Sequence, residues 1–221
     1  PGAAGAVPCQ TQYNAMIAVG AIDLPSKITF GVGIFAFTAA PSIPTWICEW
    51  AGVRGSQPTI LMKFSYTELG NRGMFGLNDV GGYVHDISFQ AGSGSGGALF
   101  SSILTAGTPA SGRLFVERCR FSGGDFVTNS VFLDGRTNLS VGGPGNRGIR
   151  FANCEVFGAA GTAFKCVSVL HSEFIGMAMF GGSGSGGTGV VALEFDGIAN
   201  AFSVGNYVQG EIAGEITLDK L

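Results

Sequence analysis

Two glutamates of this sequence occupy equivalent positions in segments that resemble each other. Glu155 lies in the segment CEVFG and Glu173 in the segment SEFIG. If these segments lie side by side on neighbouring turns of the chain, the two carboxyl groups are about 5 Å apart, which is the separation found in retaining glycosidases. One carboxylate would then attack the sugar and the other would donate a proton. The pattern therefore predicts Glu155 and Glu173 as a candidate catalytic pair.

The same residues also fit an exposed strand face with no catalytic role. Arg120 lies in the related segment CRFSG, so it is expected to lie beside Glu155 on the neighbouring turn. A surface ion pair between them would contribute less than about 1 kcal/mol. The sequence leaves both interpretations open.

Aromatic and cationic side chains suggest a second kind of site, one that binds sugars. Trp46 and Trp50 are separated by four positions and would share a face of one strand. Apolar sugar faces stack on aromatic rings, and polar neighbours bind the hydroxyl groups. We therefore expect Trp46, Trp50, Arg120 and Tyr207 to contribute to glycan binding. Burial of the aromatic rings in the core or in a subunit interface is the alternative.

No pattern in the sequence predicts a metal or cofactor site. The five cysteines contain no C-x-x-C motif, the aspartates show no D-x-D spacing, and His85 and His171 are 86 residues apart. Motifs of a phosphate-binding loop or a serine nucleophile are also missing. We expect the cysteines to be small buried apolar residues and the histidines to be solvated or hydrogen-bonded.

The composition argues against two classes of partner. The 221 residues carry a net charge of −3 and no run of lysine and arginine, so no nucleic-acid partner is expected. The uncharged stretch from Ile28 to Cys48 is interrupted by two prolines and two glycines, so no membrane partner is expected either. Charged residues make up 12% of the chain, against roughly 25% in a typical domain. This low share predicts a homo-oligomer whose contacts cover part of the surface.

The elements that would position these side chains are short strands that recur along the chain. Five segments align with an apolar residue in their third column, and glycine or alanine follows two positions later in all five. The third-column residues are Phe89, Phe121, Val156, Phe174 and Val208. They are separated by 32, 35, 18 and 34 residues. In stacked strands about 4.8 Å apart, these apolar residues would form one buried column.

This pattern predicts an all-β fold, a single-stranded right-handed parallel β-helix. We expect an N-terminal cap or arm over residues 1–23, which contains the helix-compatible run Thr11–Ile22. The β-helix would span residues 24–210, and residues 211–221 would form a C-terminal cap or tail. A β-sandwich is the alternative, but its hairpins need turn signals that are scarce in this sequence.

The rung pattern resembles that of the pectin-lyase-like β-helix family. Leu24–Phe35 resembles the opening strand of the family, and Gly52–Leu61 (GVRGSQPTIL) resembles the rung that follows it. The resemblance extends over about residues 24–210. The family includes pectin and pectate lyases, polygalacturonases, bacteriophage tailspikes and related virion proteins. It implies glycan binding along the outside of the helix or between subunits, and phage members are often trimers.

The resemblance and the missing catalytic motifs together favour a virion-type structural protein. We expect a tailspike-, fibre- or capsid-decoration-like protein that folds in the host cytoplasm and assembles as a homotrimer with other virion proteins. It would bind a surface polysaccharide and need no cofactor or metal. The alternative is a secreted polysaccharide lyase or glycoside hydrolase that acts on an acidic or bacterial surface polysaccharide through Glu155 and Glu173.

Overall fold

The chain folds as an all-β protein with long parallel sheets. The computed structural model describes residues 6–23, 27–41, 48–64, 73–77, 82–92, 97–103, 114–135, 146–181, 191–196 and 203–218. Every strand pair in these ranges is parallel. A β-sandwich built from antiparallel hairpins is therefore wrong for the described strands. The parallel sheets are compatible with the predicted β-helix.

Short strands make up most of the described structure, together with the helix α1 (Gln10–Asp23) and one 3-10 turn (Gly124–Phe126). The strands are β1 (Ala6–Pro8), β2 (Lys27–Phe30), β3 (Ile34–Phe37), β4 (Glu49–Gly52), β5 (Thr59–Met62), β6 (Gly73–Gly76), β7 (Gly82–His85), β8 (Ser88–Ala91), β9 (Ala98–Ile103), β10 (Leu114–Glu117), β11 (Arg120–Ser122), β12 (Asn129–Asp134), β13 (Asn146–Arg147), β14 (Arg150–Ala152), β15 (Glu155–Phe157), β16 (Thr162–Val167), β17 (Val169–Leu170), β18 (Glu173–Phe180), β19 (Val191–Asp196), β20 (Tyr207–Ala213) and β21 (Glu215–Leu218). Within the described ranges, no helix has the length and apolar character needed to cross a bilayer.

Apart from β13 and β17, which pair only with each other, the strands form three parallel ladders. Ladder 1 contains β2, β4, β7, β10, β14 and the first parts of β18 and β20. Ladder 2 contains β1, β3, β5, β8, β11, β15 and the second parts of β18 and β20. Ladder 3 contains β6, β9, β12, β16, β19 and β21. From β4 onwards, and apart from β13 and β17, the described strands follow the order of ladders 1, 2, 3 and then repeat it, as in β7, β8 and β9. We call each such set of strands a rung.

A large hydrophobic core contains side chains from all three ladders, and Ala98, Phe132 and Val167 form a second, small cluster. Phenylalanine side chains from different ladders pack against each other in the large core, which shows that the ladders share this core. The Phe121 ring of ladder 2 lies 5.1 Å from the Phe100 ring of ladder 3, and the Phe151 ring of ladder 1 lies 5.1 Å from the Phe164 ring of ladder 3. Each such ring contributes roughly 1.5–3 kcal/mol of burial free energy.

The bend between ladders 1 and 2 is made by one residue with a left-handed backbone in each of four successive rungs. These residues are Asp86 (φ 57°), Arg118 (φ 50°), Asn153 (φ 53°) and Gly176 (φ 63°). Aspartate, asparagine and glycine tolerate this conformation, whereas arginine rarely adopts it. Arg118 is held there by side-chain contacts to the neighbouring rung, which also build the site described below.

The N-terminal helix covers the first rungs. Helix α1 includes the predicted helix-compatible run, and its Tyr13 side chain is buried with the ring 5.3 Å from that of Phe37. The predicted domain bounds stay a prediction, and strand pairing continues past residue 210 into β20 and β21. No disulfide joins any of the five cysteines, all of which lie in the described ranges. Cys119, Cys154 and Cys166 are buried in the core as predicted, whereas Cys48 is exposed.

The predicted register is confirmed in ladder 2 and fails at β18. Phe121 lies opposite Phe89 on one side and opposite Val156 on the other, as the column predicts. Phe174 does not continue this column, because it lies opposite Phe151 in ladder 1. The prediction of a single column through Phe174 is therefore wrong.

The error comes from the length of β18, which crosses from ladder 1 to ladder 2 as one strand. Its bend at Gly176 is equivalent to the bend at Asn153 one rung earlier, so these rungs are 23 residues apart rather than 18. Met179 consequently lies opposite Val156. This shift separates the two glutamates that the sequence pattern had placed together.

Candidate functional site

The predicted catalytic glutamates lie on different ladders. Glu155 is opposite Ala178 in ladder 2, and Glu173 is opposite Arg150 in ladder 1. Each is exposed and forms an ion pair: Arg120 Nε is 3.7 Å from Glu155 Oε2, and Arg150 Nε is 3.5 Å from Glu173 Oε2. The predicted contact between Arg120 and Glu155 is confirmed. The predicted adjacency of the two carboxylates is wrong, and the catalytic hypothesis loses the geometry that motivated it.

The predicted glycan-binding residues that the structure describes do not form one site. Trp50 is 0% exposed, so the prediction that it offers a surface platform for a sugar is wrong. Trp46 lies outside the described residues. Tyr207 is exposed in β20 on ladder 1. Arg120 is on ladder 2, where its guanidinium lies 4.5 Å from the ring centre of Phe157.

A groove crosses the outward face of ladder 1. One part, of about 380 Å³, is lined by Phe115, Arg150 and Glu173. The other part, of about 240 Å³, lies beside the same Phe115 and Arg150 and extends to Tyr83 and Glu117. Phe115 and Arg150 face each other on β10 and β14, so the two parts meet at this pair. We call the whole depression the ladder 1 groove.

The alternation of side chains in the strands explains why these residues face outward. In β10, Leu114 and Val116 are buried, whereas Phe115 and Glu117 are half-exposed. A period of two is expected of a strand with one face on the core. The groove therefore results from the outward positions of strands whose inward positions build the core.

A polar network leads from the first rungs to the wall of this groove. The His85 ring lies between two carboxylates: Nε2 is 2.9 Å from Glu49 Oε1, and Nδ1 is 2.7 Å from Asp86 Oδ2. Lys27 Nζ donates to the same Glu49 oxygen at 2.7 Å. Both ring nitrogens of His85 are thus occupied by carboxylates, which suits a residue that holds neighbouring strands together.

The network continues through a two-point contact between an arginine and an aspartate. Arg118 Nε donates to Asp86 Oδ1 at 2.8 Å, and Arg118 Nη2 donates to Asp86 Oδ2 at 3.0 Å. Arg118 Nη1 also pairs with Glu117, and the Tyr83 hydroxyl donates to the second oxygen of Glu117. The Tyr83 ring stacks on the His85 ring, with 4.3 Å between the centroids. The network therefore fixes Tyr83 and Glu117, which line the groove.

The electrostatics of the network follow from these contacts. The Arg118 guanidinium lowers the pKa of Asp86 to about 2, and the His85 contact acts in the same direction. Hydrogen bonds from His85 and Lys27 lower the pKa of Glu49. Burial and the hydrogen bond to Glu117 raise the pKa of Tyr83. The carboxylates are thus stabilised in their charged form, and the Tyr83 hydroxyl keeps its proton.

Sequence reasoning missed the centre of this groove, although a signal was present. Tyr83, Phe115 and Arg150 are separated by 32 and 35 residues, the same steps that align the inward column Phe89, Phe121 and Val156. Applying the same spacing to the outward positions would have predicted that Tyr83, Phe115 and Arg150 are neighbours on adjacent strands. The contact of Arg118 with Asp86 carries no such signal, because it depends on the left-handed bends.

The groove combines an aromatic ring, a guanidinium, a carboxylate and a tyrosine within one open depression. Such a surface can stack on the apolar face of a sugar ring and bind hydroxyl or carboxylate groups at its rim. Among the described residues, no group of His, Cys, Asp or Glu side chains is arranged to hold a metal ion.

Comparisons with known families, curated proteins and solved structures find no match to this chain.

Proposed function

We propose that this chain is a single-stranded right-handed parallel β-helix of the pectin-lyase-like type and that it binds a polysaccharide in the ladder 1 groove. The repeated order of strands through ladders 1, 2 and 3 supports the β-helix. The observation that carries the binding function is the groove around the facing pair Phe115 and Arg150.

The groove supports binding more than cleavage of the glycan. Glu173 at the rim is paired with Arg150, and Glu155 is paired with Arg120 on the other ladder. Both ring nitrogens of His85 in the polar network are bonded to carboxylates, and a second imidazole, that of His171, lines the groove together with Glu173. These side chains are positioned to shape and charge a surface. We therefore favour a structural, glycan-binding protein over a lyase or hydrolase.

We further propose that the protein is a virion component of the tailspike, fibre or capsid-decoration type, folded in the host cytoplasm and assembled as a homotrimer. Two features support this: the low share of charged residues, 12%, and the rung pattern that resembles phage members of the family. A polysaccharide on a host surface would then be the ligand of the groove.

The binding function is tested with Phe115→Ala and Arg150→Ala. Both side chains are on the outward face, so the fold is expected to remain, as circular dichroism can verify. Calorimetric titration against a panel of acidic and neutral bacterial polysaccharides should identify one that the unmodified chain binds. Each substitution is expected to weaken that binding by about tenfold or more, because it removes the aromatic platform or the charged rim.

Arg120→Ala is the matched control. The Arg120–Glu155 pair has nearly the same geometry and exposure as the Arg150–Glu173 pair but lies outside the groove. Binding should be unchanged in this variant. Loss of binding in Arg120→Ala with full binding in Arg150→Ala would move the site to ladder 2 and overturn the groove assignment.

A further inference from the structure

The charged side chains that line the ladder 1 groove are more acidic than basic. Glu173 lines one part and Glu117 lines the other, whereas Arg150 is the one guanidinium among the described lining residues. The imidazole of His171 lies in the same part as Glu173. Arg147 is exposed on β13 but lines neither part. A ligand in the groove therefore meets two carboxylates and a single guanidinium.

That guanidinium already has an acidic partner inside the groove. Arg150 faces Phe115 on one neighbouring strand and Glu173 on the other, and its Nε is 3.5 Å from Glu173 Oε2. An anionic ligand group bound by Arg150 would therefore lie about one strand spacing, ~4.8 Å, from Glu173. Like charges repel at this distance, which is shorter than the screening length of about 8 Å at physiological ionic strength.

The rest of the outward face of ladder 1 offers no unpaired base among its described residues. Lys27 Nζ is 2.7 Å from Glu49 Oε1, and Arg118 binds both Asp86 and Glu117. Together with the pair at the centre of the groove, four carboxylates face three bases along this ladder and its bends, and each base contacts a carboxylate. An acidic ligand would have to compete with these carboxylates at every base.

A neutral sugar can use the same side chains without such competition. Its hydroxyl groups can donate to the carboxylates of Glu173 and Glu117 and can accept from the guanidinium of Arg150. Hydrogen bonds with one charged partner are stronger than those between neutral groups. The apolar face of the sugar ring can stack on Phe115 at the same time. The groove therefore suits a ligand that is rich in hydroxyl groups and carries no charge.

We propose that the ladder 1 groove takes a neutral polysaccharide and that Glu173 determines this specificity, because it occupies Arg150 and repels acidic sugars. This inference rests on the proposed function, since it names the ligand class of the same groove. Sugars with carboxylate, sulfate or phosphate groups are disfavoured, and neutral hexoses are favoured. Glu173 is then a specificity residue for binding and has no catalytic role.

The probes are pairs of bacterial polysaccharides that share one backbone and carry either carboxylates or primary alcohols at the same carbon, such as gellan and its carboxyl-reduced form. Calorimetric titration of the unmodified chain should show about tenfold tighter binding of the reduced form. Glu173→Gln should strengthen binding of the acidic form by about tenfold, because it frees Arg150 and removes the nearby negative charge. The reduced form should gain nothing from this substitution.

Glu155→Gln is the matched control for this experiment. Glu155 pairs with Arg120 at nearly the same distance and exposure, but on ladder 2 and outside the groove. This variant removes the same unit of charge and should leave the binding of both forms unchanged. An equal gain for the acidic form in the two variants would overturn the inference, because the charge of the whole chain would then determine the preference.

Two further outcomes separate this inference from the proposed function. If the unmodified chain binds the acidic form at least as tightly as the reduced form, and Phe115→Ala abolishes that binding, the groove stands and the inference is overturned. If neither form of any pair binds, or if binding survives in Phe115→Ala, the groove assignment is overturned and the inference with it.

Discussion

Both carboxylate oxygens of Asp86 contact side chains of neighbouring residues. Arg118 binds both of its oxygens, and one of them also contacts His85. These contacts lower the pKa of Asp86 from 3.8 to about 2 in the folded chain. A carboxylate whose pKa is lowered by folding stabilises the protein above its unfolded pKa, and this contribution is lost as the pH falls towards the folded pKa.

We therefore expect the Asp86 contribution to disappear between about pH 4 and pH 2. Urea denaturation of the unmodified chain and of Asp86→Asn should differ by on the order of 2 kcal/mol at pH 7, and the difference should shrink as the pH falls through this window. Glu155→Gln serves as the exposed control, and its effect should remain below about 1 kcal/mol. A difference for Asp86→Asn that stays constant down to pH 2 would contradict the role of Arg118 and His85.

At the scale of elements, the sequence predicted the register of the strands correctly where strand length stays constant from rung to rung. Phe89, Phe121 and Val156 align because β8, β11 and β15 are separate short strands that follow equivalent bends. The alignment failed at β18 because local similarity matched Glu173 with Glu155, whereas the structure matches Glu173 with Arg150. A bend inside a continuous strand leaves no turn residues beyond Gly176 itself, so the register could not be predicted there.

The candidate site could also be predicted only in part, because the sequence pattern shows strand alternation but not the bends between strands. Alternation places Phe115 and Arg150 on an outward face, and this much follows from the strand pattern. The contact of Arg118 with Asp86 follows from left-handed bends on neighbouring rungs. Arginine is not a residue that predicts such a conformation. Burial of Trp50 likewise depends on Phe75, which packs against it from a later rung.

Close packing between rungs should make Gly52 at the end of β4 intolerant of any side chain. A methyl group at this position would lie 1.8 Å from the backbone oxygen of Asp86, which cannot move without disturbing the bend. Gly52→Ala should therefore lower the free energy of unfolding by about 1–3 kcal/mol, measured by urea denaturation. A stronger effect would show as a failure to fold.

Gly31, which follows β2 one rung earlier, is the matched control for Gly52. A methyl group there would meet no atom within 4 Å. Gly31→Ala should change the free energy of unfolding by less than about 1 kcal/mol. Equal losses in the two variants would show that the flexibility of glycine, rather than the approach of neighbouring rungs, determines the cost.

For the whole molecule, the low charge has to be reconciled with a surface made largely of outward strand positions. Several of those positions carry paired charges, as in Arg150 and Glu173, but charged residues are only 12% of the chain. Lateral contact between subunits would remove uncharged surface from water, so the low charge favours an oligomer.

Sedimentation equilibrium measures this arrangement directly. The proposed homotrimer should have three times the chain mass of 22.6 kDa. Ile216→Asp should leave the mass unchanged, because the contacts that we propose are lateral and Ile216 is in β21, the last described strand. A monomer at micromolar concentration would contradict the trimer, and the low charge of the surface would then need another partner to cover it. A trimer that dissociates in Ile216→Asp would instead place the subunit contacts at the C-terminal end.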